Sequence, residues 1–311
     1  MQFAFVFPGQ GSQSVGMLGD IAAQHDDVQA TMATASDVLG YDLWEVCQSD
    51  PEQRLSLTEV TQPALLACSV ALWRAWQSAG GATPSVMAGH SLGEYSALVC
   101  AGSLGFEDAL LLVQKRGQLM QSAVAAGEGA MAAILGLDDE VVTAACAAVS
   151  SGIVSAANFN APGQVVIAGE RAAVDEAIEN CKQGGARRAL PLPVSVPSHC
   201  ALMQPAAEQL AGILDQIDFA SSEIPVINNV DVAACSSPAD IRDALVRQLY
   251  SPVRWVETMR SIGSDGVGHI MECGPGKVLA GLQKRIQKTV SASGLESIDD
   301  FDASLAMTTA E

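Results

Sequence analysis

A chain of 311 residues can bury a large core, and 49% hydrophobic with only 5% aromatic content suits an Ala-, Val- and Leu-rich α/β protein. A formal charge of −19 repels phosphate backbones and argues against nonspecific nucleic-acid binding. No run of about twenty uninterrupted apolar residues occurs and the start lacks the marks of a signal peptide, so a cytoplasmic protein with no membrane span is expected.

"QFAFVF" at residues 2–7 reads as a buried strand that empties at Pro8-Gly9 into the glycine-rich loop "FPGQGSQ". From Thr61, "TQPALLACSVALWRAW" carries a helical pattern with Pro63 in its first turn, where a missing N–H does no harm. "SVMAGHS" then predicts a strand and "SLGEYSALVCAG" the helix after it, with a further helix from Phe106 to about Ala125. The rhythm changes next. "GAMAAILGL", "DDEVVTAACAAV", "IVSAANFN", "GQVVIAG", "RAAVDEAIENCKQGG" and "ARRALPLPV" spell β-α-β-β-α-β, the order of a ferredoxin-like unit, inserted into the surrounding domain. Helices and strands alternate again afterwards, with "IPVINNV" and "VGHIMECG" as strands. The last stretch, 291–311, holds five acids and no base and is expected to be a flexible tail. Eight scattered cysteines show no metal-ligand spacing and read as small core residues of a reducing compartment, with no metal or cofactor implied.

Gly89-His90-Ser91-Leu92-Gly93 matches G-x-S-x-G, in which a sharp strand-to-helix turn exposes a serine nucleophile. The Leu92 N–H would then face an oxyanion beside Ser91, with the following helix dipole behind it. A second N–H is best sought in "FPGQGSQ", at Gln10; that loop lacks the spacings of a nucleotide-binding glycine loop. Serine needs a base, and there are four histidines. His25 lies in a polar stretch and reads as solvated, His90 diverges from its neighbour on a turn, and His269 sits within a strand. His199, in the proline-bounded "PVSVPSHCALM", is left by elimination. Arg116, in "LLLVQKRGQLMQ", is open to two readings: a solvated charge on the outer helix face, or an inward guanidinium that forks onto a substrate carboxylate.

"FPGQGSQ", "GHSLGEYSAL", "QKRG", "NFNAPGQVVIAG", "VPSHCALM" and "ECGPGKVL" occur in the order and at the spacings of the malonyl-CoA:acyl carrier protein transacylases of bacterial fatty acid synthesis, which the chain resembles from residue 1 to about 290. The resemblance implies an α/β-hydrolase-like large domain, residues 1–126 and 199–290, interrupted by the ferredoxin-like small domain, 127–198. It also implies Ser91 as nucleophile and His199 as base, the Gln10 and Leu92 amides as oxyanion donors, and Arg116 as the carboxylate binder. The His-orienting carbonyl falls on Gln248 and a nearby asparagine on Asn160, a carbonyl replacing the acid of a triad. Malonyl-CoA and an acidic acyl carrier protein are the implied partners. Rival readings are an acyltransferase of a polyketide or malonate decarboxylase system, a serine esterase, and a noncatalytic carrier-binding module. An acidic carrier meeting this acidic chain needs a local basic patch, for which Arg187, Arg188, Lys277, Lys284, Arg285 and Lys288 are the candidates, with Lys277, Lys284 and Lys288 on one helical face.

Overall fold

The structure is a computed structural model that describes residues 2–194, 196–235 and 237–309. Met1, Ser195, Ser236, Ala310 and Glu311, which the expected domains and tail include, lie outside the described residues. β1 (Phe3–Phe7) is buried throughout, and its side chains alternate between two cores. Phe3, Phe5 and Phe7 pack with the chain that follows: α1 (Gly19–Ala22), α2 (Asp26–Leu39), α3 (Leu43–Gln48) and α4 (Thr58–Ser78). β2 (Val86–Gly89), α5 (Gly93–Cys100) and α6 (Phe106–Ser122) complete the first half. α4 starts three residues before the expected Thr61, so Pro63 falls in its second turn rather than its first.

The middle section follows as β3 (Gly129–Leu135), α7 (Asp139–Ala147), β4 (Val154–Ala161), β5 (Gln164–Glu170), α8 (Arg171–Gln183) and β6 (Arg188–Pro191). Its four strands form an antiparallel sheet in the order β4-β5-β3-β6. Alternation sorts its faces: Ala132, Ile134, Val165 and Ile167 meet Val142, Cys146, Val174 and Ile178 of the two helices, while Met131, Val166 and Ala168 meet Cys200. The unit is hydrogen-bonded to the rest of the chain at Phe159 N to Val253 O, 3.0 Å, and Val253 N to Ala157 O, 2.9 Å.

The chain returns through α9 (Gln204–Leu214), β7 (Val226–Ile227), α10 (Pro238–Gln248), α11 (Trp255–Ser264), β8 (His269–Glu272), α12 (Val278–Ile286), β9 (Ser291–Gly294) and α13 (Ile298–Thr309). The larger sheet runs β7-β2-β1-β8-β9, parallel at every pairing. Ala4 and Val6 on its second face pack against Val256, Met259 and Leu279 of α11 and α12, so helices cover both faces and β1 sits at the centre.

The acidic end of the chain is not a loose tail over its described residues. β9 adds the fifth parallel strand, and on α13 Phe301, Ser304 and Leu305 turn inward at helical spacing while the acids Asp299 and Asp302 stay exposed. Composition hid the amphipathic period. Phe301 is fully buried against Trp76, and its ring lies 4.8 Å from that of His25, which is therefore half-buried rather than solvated. The lysine face also breaks up. Lys277 precedes α12 and pairs with Asp300 at 2.5 Å, and Gln287 is extended (φ −149°), so Lys288 lies beyond the helix that carries Lys284.

Candidate active site

The carboxyl ends of β1, β2 and β7 point to one edge of the larger sheet, the usual place for ligands in an open parallel sheet. β2 stops at Gly89 and α5 starts at Gly93, which leaves three residues to reverse direction. The glycines are required there. A β-carbon on Gly89 would stand 1.8 Å from the Gly93 carbonyl carbon, and one on Gly93 would stand 2.0 Å from Phe7 O. Between them Ser91 takes left-handed backbone, φ 52°, and is half-buried.

Ser91 Oγ lies 2.7 Å from His199 Nε2, and His199 Nδ1 lies 2.8 Å from the Gln248 carbonyl oxygen. A carbonyl only accepts, so Nδ1 carries the proton and Nε2 is left to accept from the serine hydroxyl. His199 is buried, with φ 62° and its own N–H donated to Leu249 O. Burial, and then the Arg116 charge, lower its imidazole to about 3, which keeps it neutral with Nε2 free to accept a proton. The sheet brings these residues together from positions 108 apart in sequence.

Arg116 is buried, 1% exposed, so its side chain turns inward and is not solvated on the outer face of the helix. Nη1 donates to Gln62 Oε1 at 2.8 Å, and Nη2 to Gln248 Oε1 at 2.9 Å and to Ser91 Oγ at 3.3 Å. Its guanidinium carbon lies 5.3 Å from the Tyr95 ring centroid. Nε is buried with no hydrogen-bond partner among the described residues. Burial lowers the guanidinium's value, opposed by Tyr95 and the Glu94 carboxylate.

The amides of Leu92 and Gln10 donate to no acceptor among the described residues, and both stand in loops at the strand ends, Leu92 next to Ser91. Gly9 ties the two loops, since a β-carbon there would meet His90 O at 2.5 Å. Asn160 does not reach Ser91; its Oδ1 accepts from His90 Nε2 at 2.8 Å. Irregular register on either side of residues 157 and 160 in β4 turns that side chain toward the main sheet. His90 also stands edge-on to Trp255 at 5.4 Å, and His269 is held by Ser291 and Ser293 in the sheet.

Four polar side chains at the site escaped the reading of the sequence. Gln62 and the side chain of Gln248 grip Arg116; Asn229 Oδ1 accepts from Ser91 N at 2.7 Å while its Nδ2 donates to Gly89 O at 2.6 Å; Glu94 is buried beneath them. Asn229 has a sequence signal in the "NN" that follows a short strand, and Gln62 and Glu94 stand beside apolar runs; Gln248, at the end of the charged "PADIRDALVRQ", has none. Such a serine, neutral imidazole, free amides and inward guanidinium can attack a carbonyl, hold its oxyanion and bind an anionic acyl group.

The acyl transferase domain family model matches residues 4–298. A malonyl CoA-acyl carrier protein transacylase of Salmonella typhimurium is 58% identical over 305 residues, covering 98% of this chain and 99% of its own. One of Bacillus subtilis is 45% identical over 303 residues, covering 96% and 95%. Among solved structures, a malonyl-transacylase in complex with a type II PKS acyl-carrier protein superposes with TM-score 0.97 at 57% identity, over 99% of this chain and all of that one. The acyl carrier protein S-malonyltransferase of Vibrio cholerae superposes with TM-score 0.96 at 58% identity, over 97% and 99%.

Proposed function

The chain belongs to the acyl transferase domain family, among its malonyl CoA-acyl carrier protein transacylases, and we propose that Ser91 and His199 carry the transfer while Arg116 selects the malonyl group. Ser91 Oγ attacks the thioester carbonyl of malonyl-CoA as its proton passes to His199 Nε2, and the Leu92 and Gln10 amides receive the oxyanion. The C–S bond breaks, the coenzyme A sulfur takes the proton, and a malonyl-serine ester remains. The phosphopantetheine thiol of the carrier protein then gives its proton to His199 and attacks that ester. The C–O bond breaks, Ser91 regains its proton, and malonyl-carrier protein leaves. Malonyl supply to fatty acid synthesis in the cytoplasm fits this reaction.

One observation carries the reading: a fully buried guanidinium 3.3 Å from the nucleophile, gripped by two glutamines and, among the described residues, hydrogen-bonded to no carboxylate. A malonyl carboxylate supplies the missing anion, whereas an acetyl group leaves that charge uncompensated. The fold reading joins it. The parallel sheet with its strand-to-helix serine turn supports an α/β-hydrolase-like large domain, and the β4-β5-β3-β6 order supports a ferredoxin-like insert near 127–198.

Intact-mass measurement after malonyl-CoA alone tests the reaction. A single malonyl adduct that maps to the Ser91 peptide and is discharged by holo-carrier protein is expected, and none in Ser91→Ala. An adduct elsewhere, or release of malonate at the transfer rate without a carrier, would contradict it; the latter is what an esterase does.

A further inference from the structure

An amide set between two acceptors and one donor has only one satisfied orientation. Gln248 Nε2 lies 2.9 Å from Glu94 Oε2 and 3.1 Å from the Ser91 carbonyl oxygen, and its Oε1 lies 2.9 Å from Arg116 Nη2. Turned over, the amide would face oxygen with oxygen twice and N–H with N–H once. Glu94 Oε2 also accepts from Asn229 N at 2.9 Å, and Asn229 in turn holds the Ser91 amide. One buried carboxylate oxygen therefore secures two arms, one to the nucleophile's backbone and one to the guanidinium. Glu94 is 2% exposed, on the otherwise apolar start of α5, and its carboxyl is raised to about 7 by burial, partly offset by Gln248, Asn229 and Arg116. None of its recorded bonds reaches Ser91 Oγ or the Arg116 nitrogens, so it acts through its neighbours.

We propose that Glu94 is a positioning residue for acyl-group choice: by accepting from Gln248 Nε2 it locks the amide that presents Oε1 to Arg116, and so holds the guanidinium beside Ser91. This rests on the reading of Arg116 as the malonyl anchor. Loss of the Asn229 arm slows every acyl group alike; loss of the Gln248 arm, which also bonds the Ser91 carbonyl, harms malonyl more than acetyl. The ratio of kcat/KM for malonyl-CoA to that for acetyl-CoA, with one carrier protein, therefore separates a positioning role from a merely structural one.

Glu94→Ala is expected to lower that ratio by about tenfold or more, and Glu94→Gln, whose amide oxygen can take the place of Oε2 and accept both N–H groups, to keep it within about threefold. A Glu94→Ala protein that folds and keeps the wild-type ratio overturns the proposal. So does an equal loss in both variants, which would assign the effect to charge and not to orientation. If Glu94→Ala does not fold, Gln248→Met removes the same amide, and an unchanged ratio there overturns the proposal as well. Wild type and Arg116→Ala run alongside: if wild type shows no malonyl preference, or Arg116→Ala retains one, the Arg116 reading fails and this proposal with it; if both behave as expected, unchanged Glu94 variants sink this proposal alone.

Discussion

Ser91 and His199 share an unusual backbone: both adopt left-handed φ, 52° and 62°, which costs a non-glycine residue about 1 kcal/mol or more and persists only where neighbours hold it. The neighbours here are Asn229 on the serine and the Leu249 carbonyl on the histidine. The same burial that holds His199 lowers its imidazole to about 3, so it stays a base well below the ordinary 6.5. The rate of malonyl-enzyme formation is therefore expected to show no acid limb at 6.5 between about pH 8 and about pH 5. Glu94, near 7, is a network group that does titrate in that window, so the profile is taken in Glu94→Gln as well. A limb centred at 6.5 in both would mean that burial does not hold the His199 imidazole down. The linked stability has a definite sign: the unfolded imidazole takes its proton at about 6.5 and the folded one resists, so this contribution is present above 6.5 and is lost as pH falls toward 3.

Among the elements, α13 shows how an acidic segment takes its place in a core. Leu295 and Phe301 are fully buried, the Glu296 carboxylate accepts from Gly276 N at 2.9 Å, and β9 pairs with β8 over four residues. Phe301 stands edge-on to Trp76 of α4 at 5.8 Å, which ties the end of the chain to its first half. Phe301→Ala is expected to destabilise by ~3–5 kcal/mol in denaturant unfolding, the usual cost of emptying a buried ring site. A change below about 0.5 kcal/mol, the size of an ordinary surface substitution, would mean that the segment is held loosely after all.

For the whole molecule the question is how a chain at −19 meets an acidic carrier. Exposed Arg187, Arg188 and Arg285 line one groove with Pro162, Gly163 and Gln164, where the small sheet's β4–β5 turn meets α12. That turn begins two residues after Asn160, the partner of His90. Lys277 is occupied by Asp300, and the arginines are the better docking candidates. At about 0.5 kcal/mol per exposed pair, reversing all three to glutamate should raise KM for the carrier roughly tenfold and steepen with lower salt. Malonyl-enzyme formation from malonyl-CoA should be unchanged. Equal effects on both half-reactions would assign the groove to the phosphates of coenzyme A instead, and no effect would place docking elsewhere.

Local chemistry wrote much of this protein into its sequence. Short apolar runs and helical patterns located β1, β2, α5 and the β-α-β-β-α-β order, and the two glycines around Ser91 marked a sharp turn at whose flanking positions a side chain would clash. Those signals are legible because each depends on residues within a few positions of one another. The neighbours of Ser91 are not local: His199 is 108 positions away, Asn229 138 and Gln248 157. Whether Arg116 faced solvent or serine was undecided by an amphipathic helix that offers both faces, until α4 supplied Gln62 and α10 supplied Gln248. The acidic end likewise needed β8 and Trp76 to pair and pack against. A buried polar group is tolerated only with partners, and partners drawn from distant segments exist only once the sheet has closed.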